Sequence, residues 1–259
     1  SGKSIIQGYF PEASEALLSL SLQIDPVNQE ALFDLVDKKL SQGKTDEVEF
    51  LYNDYFDKET NAKQMAIAHF KKARMYPQNS WQRMSEVSSA IHFHPLSDYY
   101  EERAWLHFRR GENNDALKDF DEAIRSNPHS ASAYIGRAQI YAATGNFQIA
   151  LHELNNIAAQ KAGWANIDVF FLRALLLNKL GSEGLSRHDF RTVVELAKAK
   201  SSPTAEEAFA TAYSYMALGE SSEYKKYLRI AEEQQTTSKR TFTLNYRRLN
   251  LPLYWMIFK

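Results

Sequence analysis

The sequence predicts an all-α protein built from stacked helix pairs, and three observations lead to that prediction. A pattern of large and small apolar residues returns at a fixed spacing, each copy holds two segments with helical periodicity, and turn-forming residues are scarce. The 259 residues include only 10 glycines and 7 prolines. A chain made of strands needs many of both residues at its turns. A chain of 259 residues is also long for one compact core, so we expect an extended array or two domains.

The clearest copies of the pattern are the adjacent segments 97–130 and 131–164, which are 34 residues apart. Five positions match at that spacing, namely Tyr100 with Tyr134, Ala104 with Ala138, Gly111 with Gly145, Ala116 with Ala150, and Phe120 with Leu154. A fixed period of this length is typical of proteins made from one repeated supersecondary unit.

Each copy is predicted to hold two amphipathic helices joined at a glycine. In the first copy Tyr100, Ala104 and His107 follow the i, i+4, i+7 spacing of one helix face, and the second segment shows similar spacing. Gly111 stands between the two segments, where a residue with positive φ ends a helix. Pro128 ends the second helix because proline cannot continue it.

Weaker copies flank these two segments. Residues 8–28 resemble a second helix alone, closed by Asp25 and Pro26, and residues 61–96 fit the pattern poorly. We predict three regions: degenerate helical repeats, four clearer repeats, and a C-terminal tail. Their ranges are 5–96 (with the best copy at 29–58), 97–235 (repeats 97–130, 131–164, 167–200 and 205–235), and 236–259.

The pattern resembles the tetratricopeptide repeat (TPR) family. The family signature of large, small and aromatic positions, a turn glycine and a closing proline is matched by Tyr100, Ala104, Gly111, Ala116, Phe120, Ala123 and Pro128. Arg103 and His107 depart from the Leu and Tyr that the family usually has there. The resemblance implies antiparallel helix pairs stacked into a right-handed superhelix (an α-solenoid), whose first helices line a concave groove.

The resemblance also implies which side chains line that groove. The candidate partner-binding residues are Trp105, Phe108, Arg109, Ile135, Gln139, Phe171, Asn178, Phe209 and Tyr213. Aromatic residues beside arginine are typical of peptide-binding hot spots. The alternative is that Trp105, Phe171 and Tyr213 fill the core between repeats, and the sequence leaves both interpretations open.

One TPR subgroup clamps a C-terminal carboxylate with Lys and Asn at the fifth and ninth positions of the first helix. This chain has Glu101 and Trp105 at those positions in one repeat, and Ile135 and Gln139 in the next. The sequence therefore argues against a clamp for chaperone tails.

No catalytic, cofactor or metal site is predicted. The chain lacks G-x-S-x-G, H-E-x-x-H and G-x-G-x-x-G motifs, and the adjacent His188 and Asp189 are interpreted as a solvent-exposed pair on a helix. It has no cysteine, which excludes disulfides and cysteine zinc sites. The net charge of -1 gives no sign of a nucleic-acid partner. No apolar run is long enough to predict a transmembrane helix.

The C-terminal tail departs from the helical pattern. Phe242, Leu244 and Tyr246 alternate with polar residues, which predicts a strand-like segment. The segment from Leu251 onward is almost wholly apolar, so we predict burial of Leu253, Tyr254, Trp255, Ile257 and Phe258. Residues 244–250 are similar to a stretch in bacterial outer-membrane phage-adsorption receptors, in which a periplasmic TPR array leads into a β-barrel.

Two functions follow as hypotheses. The first is a non-enzymatic scaffold that binds a protein or peptide in its concave groove. The alternative is the periplasmic TPR module of a bacterial outer-membrane receptor or exopolysaccharide exporter, just before the barrel. That alternative favours the periplasm or outer membrane over the cytoplasm. It adds a polysaccharide or the barrel as partners. Self-association through the tail is a separate expectation, and neither hypothesis requires a cofactor or nucleic acid.

Overall fold

The computed structural model describes residues 11–160 and 166–234. Every regular secondary-structure element in those ranges is an α-helix, which confirms the all-α class that the sequence predicts for them. The thirteen helices of this part are α1 (Pro11–Ile24), α2 (Gln29–Ser41), α3 (Thr45–Lys58), α4 (Ala62–Ala73), α5 (Trp81–Phe93), α6 (Ser97–Arg110), α7 (Asn113–Ser126), α8 (Ala131–Ala143), α9 (Phe147–Ala158), α10 (Ile167–Lys179), α11 (Glu183–Lys198), α12 (Ala205–Leu218) and α13 (Ser221–Gln234). The predictions for the tail fall outside the described residues.

The described residues form two compact units, which divide between residues 106 and 107. In the first unit, α2 packs on α3 and α4 packs on α5. In the second unit the packed pairs are α8 with α9, α10 with α11, and α12 with α13. The domain ranges predicted from the sequence stay predictions.

Polar caps start most of the first helices of these pairs. Asn28 Oδ1 accepts a hydrogen bond from the backbone N–H of Ala31 at 3.0 Å. Thr204 and Glu207 form a reciprocal capping box at the start of α12. Such side chains satisfy backbone donors that have no partner inside the helix. The other first-helix caps with this type of bond are Asn61, Ser130 and Asn166.

A glycine with positive φ ends the first helix of most pairs. At Gly145 φ is 81°, and its N–H donates to the carbonyl of Ala142 at 3.1 Å. The next N–H, from Asn146, reaches back to the carbonyl of Tyr141 at 2.8 Å. These bonds satisfy the last carbonyls of α8, in the geometry that favours glycine. The same turn occurs at Gly43, Gly111, Gly181 and Gly219, which confirms the predicted role of Gly111.

Residues 61–96, which fit the repeat pattern poorly, nonetheless form the helix pair α4–α5. The connection between these helices is longer than in the other pairs and contains Pro77 instead of a turn glycine. Ser80 caps α5 by accepting a hydrogen bond from the N–H of Arg83 at 3.1 Å. The missing glycine and the longer connection explain why the sequence pattern was weak here.

The first helices of the second unit are buried on most of their surface. Each second helix packs on the first helix of the following pair, and α8, α10 and α12 also contact their nearest first-helix neighbours. Ala138, Ala174 and Ala212 occupy equivalent positions in these helices and are buried. Small side chains at these positions allow the helices to approach closely.

Gly136 marks a second close approach, which the sequence pattern did not reveal. It lies within α8, and a Cβ atom added there would be 2.1 Å from Cζ of Phe120 in α7. The ring of Phe120 therefore occupies the space that any larger residue at position 136 would need.

Asp189 corrects one interpretation made from the sequence. Its side chain is not solvent-exposed: the residue is 1% exposed, whereas the adjacent His188 is exposed. Arg173 pairs with its carboxylate from the facing helix α10. A buried carboxylate needs such a partner, because an unpaired charge is costly to remove from water.

The first unit contains a buried lysine among its core helices. Lys72 Nζ lies 2.9 Å from a carboxylate oxygen of Glu49 and 3.3 Å from one of Glu86. The side chain of Lys72 is 7% exposed. His69 lies beside it, with Nδ1 2.6 Å from Glu86 and its ring stacked 4.0 Å from that of Phe56. This charged cluster links α3, α4 and α5.

Candidate partner-binding site

The nine candidate groove residues differ widely in their exposure. Six are buried: Phe108, Ile135, Gln139, Phe171, Phe209 and Tyr213. Trp105 and Arg109 are partly buried, and Asn178 is exposed. In the second unit the first helices contact one another, so side chains directed along that face cover their neighbours. The aromatic residues of this face thus serve as core, and their role in binding a partner stays a prediction.

Two of the candidate residues belong to one aromatic cluster. The rings of Phe171 in α10 and Tyr213 in α12 are 5.5 Å apart and meet edge to face at 76°. Phe190 from α11 joins them, with its ring 5.8 Å from that of Tyr213. Edge-to-face packing of this type holds each ring in a defined orientation. The three rings thus form one packed aromatic cluster between α10, α11 and α12.

A cavity of about 320 Å³ lies beside this cluster. It is bounded by the C-terminal ends of α10 and α12 and by the N-terminal half of α11. Asn178 and Tyr213, both predicted from the sequence, line the same cavity. Phe190 and Met216 form apolar parts of its wall. The structure therefore brings together two predicted residues around a space of the size found in small ligand sites.

The hydroxyl group of Tyr213 is buried without a hydrogen-bond partner among the described residues. The residue is 3% exposed, and this burial raises the pKa of Tyr213. The phenol is therefore neutral at physiological pH and retains its proton for donation. The side-chain oxygen of Gln139 in α8 is similarly buried and unpaired within the described part of the chain. Buried polar atoms without partners are uncommon in folded proteins.

Arg187 is a functional candidate that sequence reasoning missed. Its exposed side chain lines the cavity, and Nη1 donates to the carbonyl of Ala217 at 3.4 Å, near the C-terminal end of α12. That helix end carries partial negative charge, which favours a cation nearby. No carboxylate of the described residues forms a salt bridge with Arg187. No motif could have identified this residue, because its place at the cavity depends on how α11 and α12 pack.

Two further polar residues line the cavity. Ser186 donates its hydroxyl proton to the carbonyl of Ala174 at 2.9 Å, so that donor is already used. Glu183 lies one turn before Arg187 on α11, and its side chain is exposed. The cavity is thus lined by one guanidinium group, one amide and one carboxylate between apolar walls.

A carboxyl group with an altered pKa lies near the starts of α10 and α12. Burial, together with the carboxylates of Glu207 and Glu206, raises the pKa of Asp168 to about 6, and Lys200 opposes the change. Lys200 also forms a salt bridge with Glu207. Three carboxyl groups, those of Asp168, Glu206 and Glu207, thus interact electrostatically at the N-terminal ends of α10 and α12.

No group of His, Cys, Asp and Glu side chains within residues 11–160 and 166–234 is arranged to hold a metal ion. In the same ranges, no helix combines the length and the apolar character needed to cross a membrane.

A family model described as a tetratricopeptide repeat matches residues 102–166, which include the clearest copies of the pattern. Within this segment the chain therefore matches the tetratricopeptide repeat. This match agrees with the helix pairs, the turn glycines and the buried small residues described above. No curated protein matches the chain.

Several solved structures share this fold, and one of them is described as a tetratricopeptide repeat protein. A tetratricopeptide repeat protein from Parabacteroides merdae aligns with a TM-score of 0.60 at 18% identity, over 92% of this chain and 90% of its own. PilW, a type IV pilus biogenesis factor, aligns with a TM-score of 0.55 at 15% identity, over 85% and 98%. Pseudomonas aeruginosa pilF gives 0.53 at 14% identity, over 73% and 85%. At these identities the likeness establishes the fold alone.

Proposed function

We propose that this TPR protein is a non-enzymatic scaffold that binds a protein or peptide partner on the first-helix face of its second unit. The observation that supports the proposal is the cavity that Asn178 and Tyr213 share at the ends of α10 and α12. An apolar recess with a few polar groups at its rim is the usual form of a specific binding pocket. The packed rings of Phe171 and Phe190 keep its floor in place.

The proposal distinguishes residues that touch the partner from residues that support the site. Asn178 is exposed and is expected to make direct contact, whereas Phe171 and Tyr213 are buried and hold the pocket in shape. Arg109, which is partly buried and belongs to the same unit, is proposed to extend the contact surface. Trp105 belongs to the first unit, and its role in binding stays a separate prediction. Removal of a supporting aromatic would therefore lower both stability and affinity, and only the exposed positions separate the two effects.

No catalytic step is part of this proposal. The hydroxyl of Ser186, the serine that lines the cavity, donates its proton to the carbonyl of Ala174, and it forms no hydrogen bond with a basic group among the described residues. Activation of a nucleophile requires an adjacent general base within hydrogen-bond reach.

The experiment begins with identification of the partner by capture from the native organism and mass spectrometry, followed by binding measurements with purified components. Asn178→Arg would place a long charged side chain at the cavity mouth and should weaken binding about tenfold or more. Leu185→Arg on α11 is the matched control, since Leu185 is exposed and does not line the cavity. Wild-type affinity in the Asn178→Arg variant, or an equal loss in Asn178→Arg and Leu185→Arg, would disprove the proposed binding face.

A second candidate function is the periplasmic module of a bacterial outer-membrane receptor or exopolysaccharide exporter. It is supported by the stretch 244–250, with its similarity to the segment that joins a TPR array to a barrel in phage-adsorption receptors. In that setting the protein would lie in the periplasm or at the outer membrane. Sequencing the parent gene tests the idea: about ten-residue segments of alternating apolar residues downstream would support it, and their absence would exclude it.

A further inference from the structure

We propose that residues 240–248 of the C-terminal tail bind as an extended segment along the first-helix face of their own second unit, where they compete with the partner. The inference rests on the proposed binding function and adds a regulatory contact to the same face. The scaffold function leaves the strand-like pattern of this segment unexplained. In the free protein the segment covers the cavity beside Asn178, and the partner displaces it.

The charge of the chain is unevenly distributed. Residues 235–259 contain five of the 31 basic residues and none of the 32 acidic ones, which leaves 26 basic and 32 acidic residues in the rest of the chain. The tail is therefore strongly cationic, whereas residues 1–234 carry an excess of negative charge. Attraction between opposite charges is effective for a tethered segment, because the tether keeps its local concentration high.

The segment has one side with a cation at each end. Successive side chains of an extended chain point to opposite sides, so residues with even numbers share one side here. That side is basic at both ends and apolar between them. Its residues, in order, are Arg240, Phe242, Leu244, Tyr246 and Arg248. The other two cations of this region, Lys239 and Arg247, belong to the opposite side.

The binding face carries carboxylates at the N-terminal ends of its helices. Asp168 in α10 interacts electrostatically with Glu206 and Glu207 in α12. Lys200 pairs with Glu207 and so neutralises one of the three carboxylates. An arginine at this end would pair with the remaining negative charge. From Glu206 a line of residues follows one side of α12 at i, i+3, i+7 and i+10, namely Glu206, Phe209, Tyr213 and Met216.

The opposite end of the face is the cavity, where Glu183 supplies a further carboxylate. The C-terminal ends of α10 and α12 bound the cavity and carry partial negative charge, which also favours a cation. Arg187 lines the same cavity and reduces this attraction. Phe190 and Met216 provide apolar walls that suit the ring of Tyr246. The face thus has negative charge at both ends and apolar groups between them, which complements the segment.

The length of the tail allows this arrangement. The helices α12 and α13 are joined by two residues and pack on each other, so they are antiparallel and Gln234 lies near the start of α12. Residues 235–239 span up to about 17 Å, whereas packed helix axes are about 8–10 Å apart. From Arg240 to Arg248 an extended chain covers about 26 Å, and the 14-residue helix α12 is about 21 Å long. One arginine therefore reaches each end of the face.

The experiment places one spin label in the tail of the intact chain. The chain has no cysteine, so Thr243→Cys gives a single attachment site, on the side of the segment that points away from the face. With the methionine methyl groups labelled for NMR, we expect strong broadening of the Met216 signal relative to the reduced, diamagnetic label. An unaffected Met216 signal would overturn the inference.

Charge variants of the labelled chain test the orientation of the segment. Arg240→Glu combined with Arg248→Glu should reduce the broadening of the Met216 signal severalfold. Lys239→Glu combined with Arg247→Glu is the matched control, since it makes the same change in net charge on the opposite side of the segment. The control should keep most of the broadening. An equal reduction in the two double variants would mean that general attraction holds the tail, which contradicts the proposed contact.

An exchange of charges tests the contact at the cavity. Glu183→Arg is an exposed change that should reduce the broadening of the Met216 signal. Adding Arg248→Glu to this variant should restore the broadening, because the two charges are then opposite again. Absence of any restoration would exclude a contact between residues 183 and 248.

A mixture of two preparations separates binding within one chain from exchange between chains. Isotope-labelled chain without a spin label is mixed with spin-labelled chain that carries no isotope. We expect an unaffected Met216 signal at low concentration. Broadening in the mixture equal to that in the singly prepared protein would show that the tail binds a second copy, which overturns binding to its own unit.

Partner affinity tests the competition and distinguishes the two proposals. The Arg240→Glu, Arg248→Glu variant should bind the captured partner about fivefold to tenfold more tightly, because the face is then free. Unchanged affinity in this variant, together with a loss in Asn178→Arg, would disprove the competition and leave the binding face intact. If the broadening follows the expected pattern but the partner ignores Asn178→Arg, the tail contact stands and the proposed function is wrong.

Discussion

Arg173 and Asp189 face each other across α10 and α11 and form a two-pronged ion pair. Nε of the arginine donates to Oδ2 and Nη2 donates to Oδ1, each at 2.7 Å. The guanidinium carbon also lies 5.0 Å from the ring centre of Phe170, one turn earlier. Planar guanidinium groups suit this combination of a bidentate carboxylate contact and an aromatic face.

The preceding repeat contains the same arrangement. Arg137 forms an ion pair with Glu153, and its guanidinium carbon lies 5.7 Å from the ring centre of Tyr134. Arginine stands at the equivalent position in the clearest repeat, where Arg103 lies 5.9 Å from the ring of Tyr100. The departure from the family's usual leucine is thus a recurrent feature of this chain, in which arginine contacts an aromatic ring of its own helix.

Loss of the arginine should expose the cost of a buried, unpaired carboxylate. We expect Arg173→Met to lower the free energy of unfolding by about 3 kcal/mol, measured by urea titration followed by circular dichroism. Adding Asp189→Leu to that variant should restore most of the loss, because the unpaired charge is then gone. Arg229→Met is the control: its pair with Glu233 is exposed, so the change should be within about 0.5 kcal/mol. Equal losses from the two single variants would contradict this account.

Gly136 should resist replacement even by alanine. The added Cβ would lie 2.1 Å from the Phe120 ring, so we expect Gly136→Ala to cost about 1–3 kcal/mol in thermal or urea unfolding. The control is Gly184→Ala in α11, where an added Cβ meets nothing within 4 Å. Alanine has the higher helix propensity, so the control should be neutral or gain up to about 1 kcal/mol. The prediction fails if both variants gain stability.

Asp168 should make the second unit less stable as the pH rises from about 4 to about 6. Its folded-state pKa is raised to about 6, so the folded chain holds a proton over a range where the unfolded chain has already lost it. The loss is complete above the folded-state pKa. Asp168→Asn removes the effect and should add about 1–2 kcal/mol at pH 7 relative to wild type, with little difference near pH 3. Parallel stability curves for the two proteins between pH 3 and pH 7 would refute the prediction.

Lys72 should be important for the stability of the first unit. Replacement by Met keeps most of the apolar part of the side chain but removes the ammonium group that pairs with the carboxylates of Glu49 and Glu86. We expect a loss of about 3 kcal/mol, detected as faster amide hydrogen exchange in α4 and α5. Lys118→Met is the control, since its pair with Asp115 is exposed and should contribute less than about 1 kcal/mol. Unchanged exchange in the Lys72 variant would show that the cluster is not stabilising.

Local signals were sufficient to predict the helix pairs and their turns. The spacing from Ala104 to Ala138 and the turn glycines Gly111 and Gly145 are properties of one short segment repeated along the chain. Residues 61–96 match the repeat pattern poorly because the connection between α4 and α5 contains Pro77 in place of the turn glycine. The pattern in that segment was therefore incomplete even though the helices form.

The candidate site was only partly predictable. Asn178 and Tyr213 were identified from the family's geometry, and the structure places both at one cavity. Arg187 and Glu183 carry no sequence signal, because an exposed charged residue on a helix has the same appearance whether or not it faces a cavity. The burial of Asp189 was misjudged for the same reason.

The repeat length, the two helices of each clear repeat and the turns that end the first helices follow from the amino-acid sequence alone. These features depend on residues close together in the chain, which interact in the same way wherever the segment lies. The packing of the helices places Phe171 and Tyr213 in the core, buries Asp189 beside Arg173, and leaves a cavity at Arg187 between α10, α11 and α12. Those outcomes depend on the packing of helices from different repeats, which a local pattern does not encode.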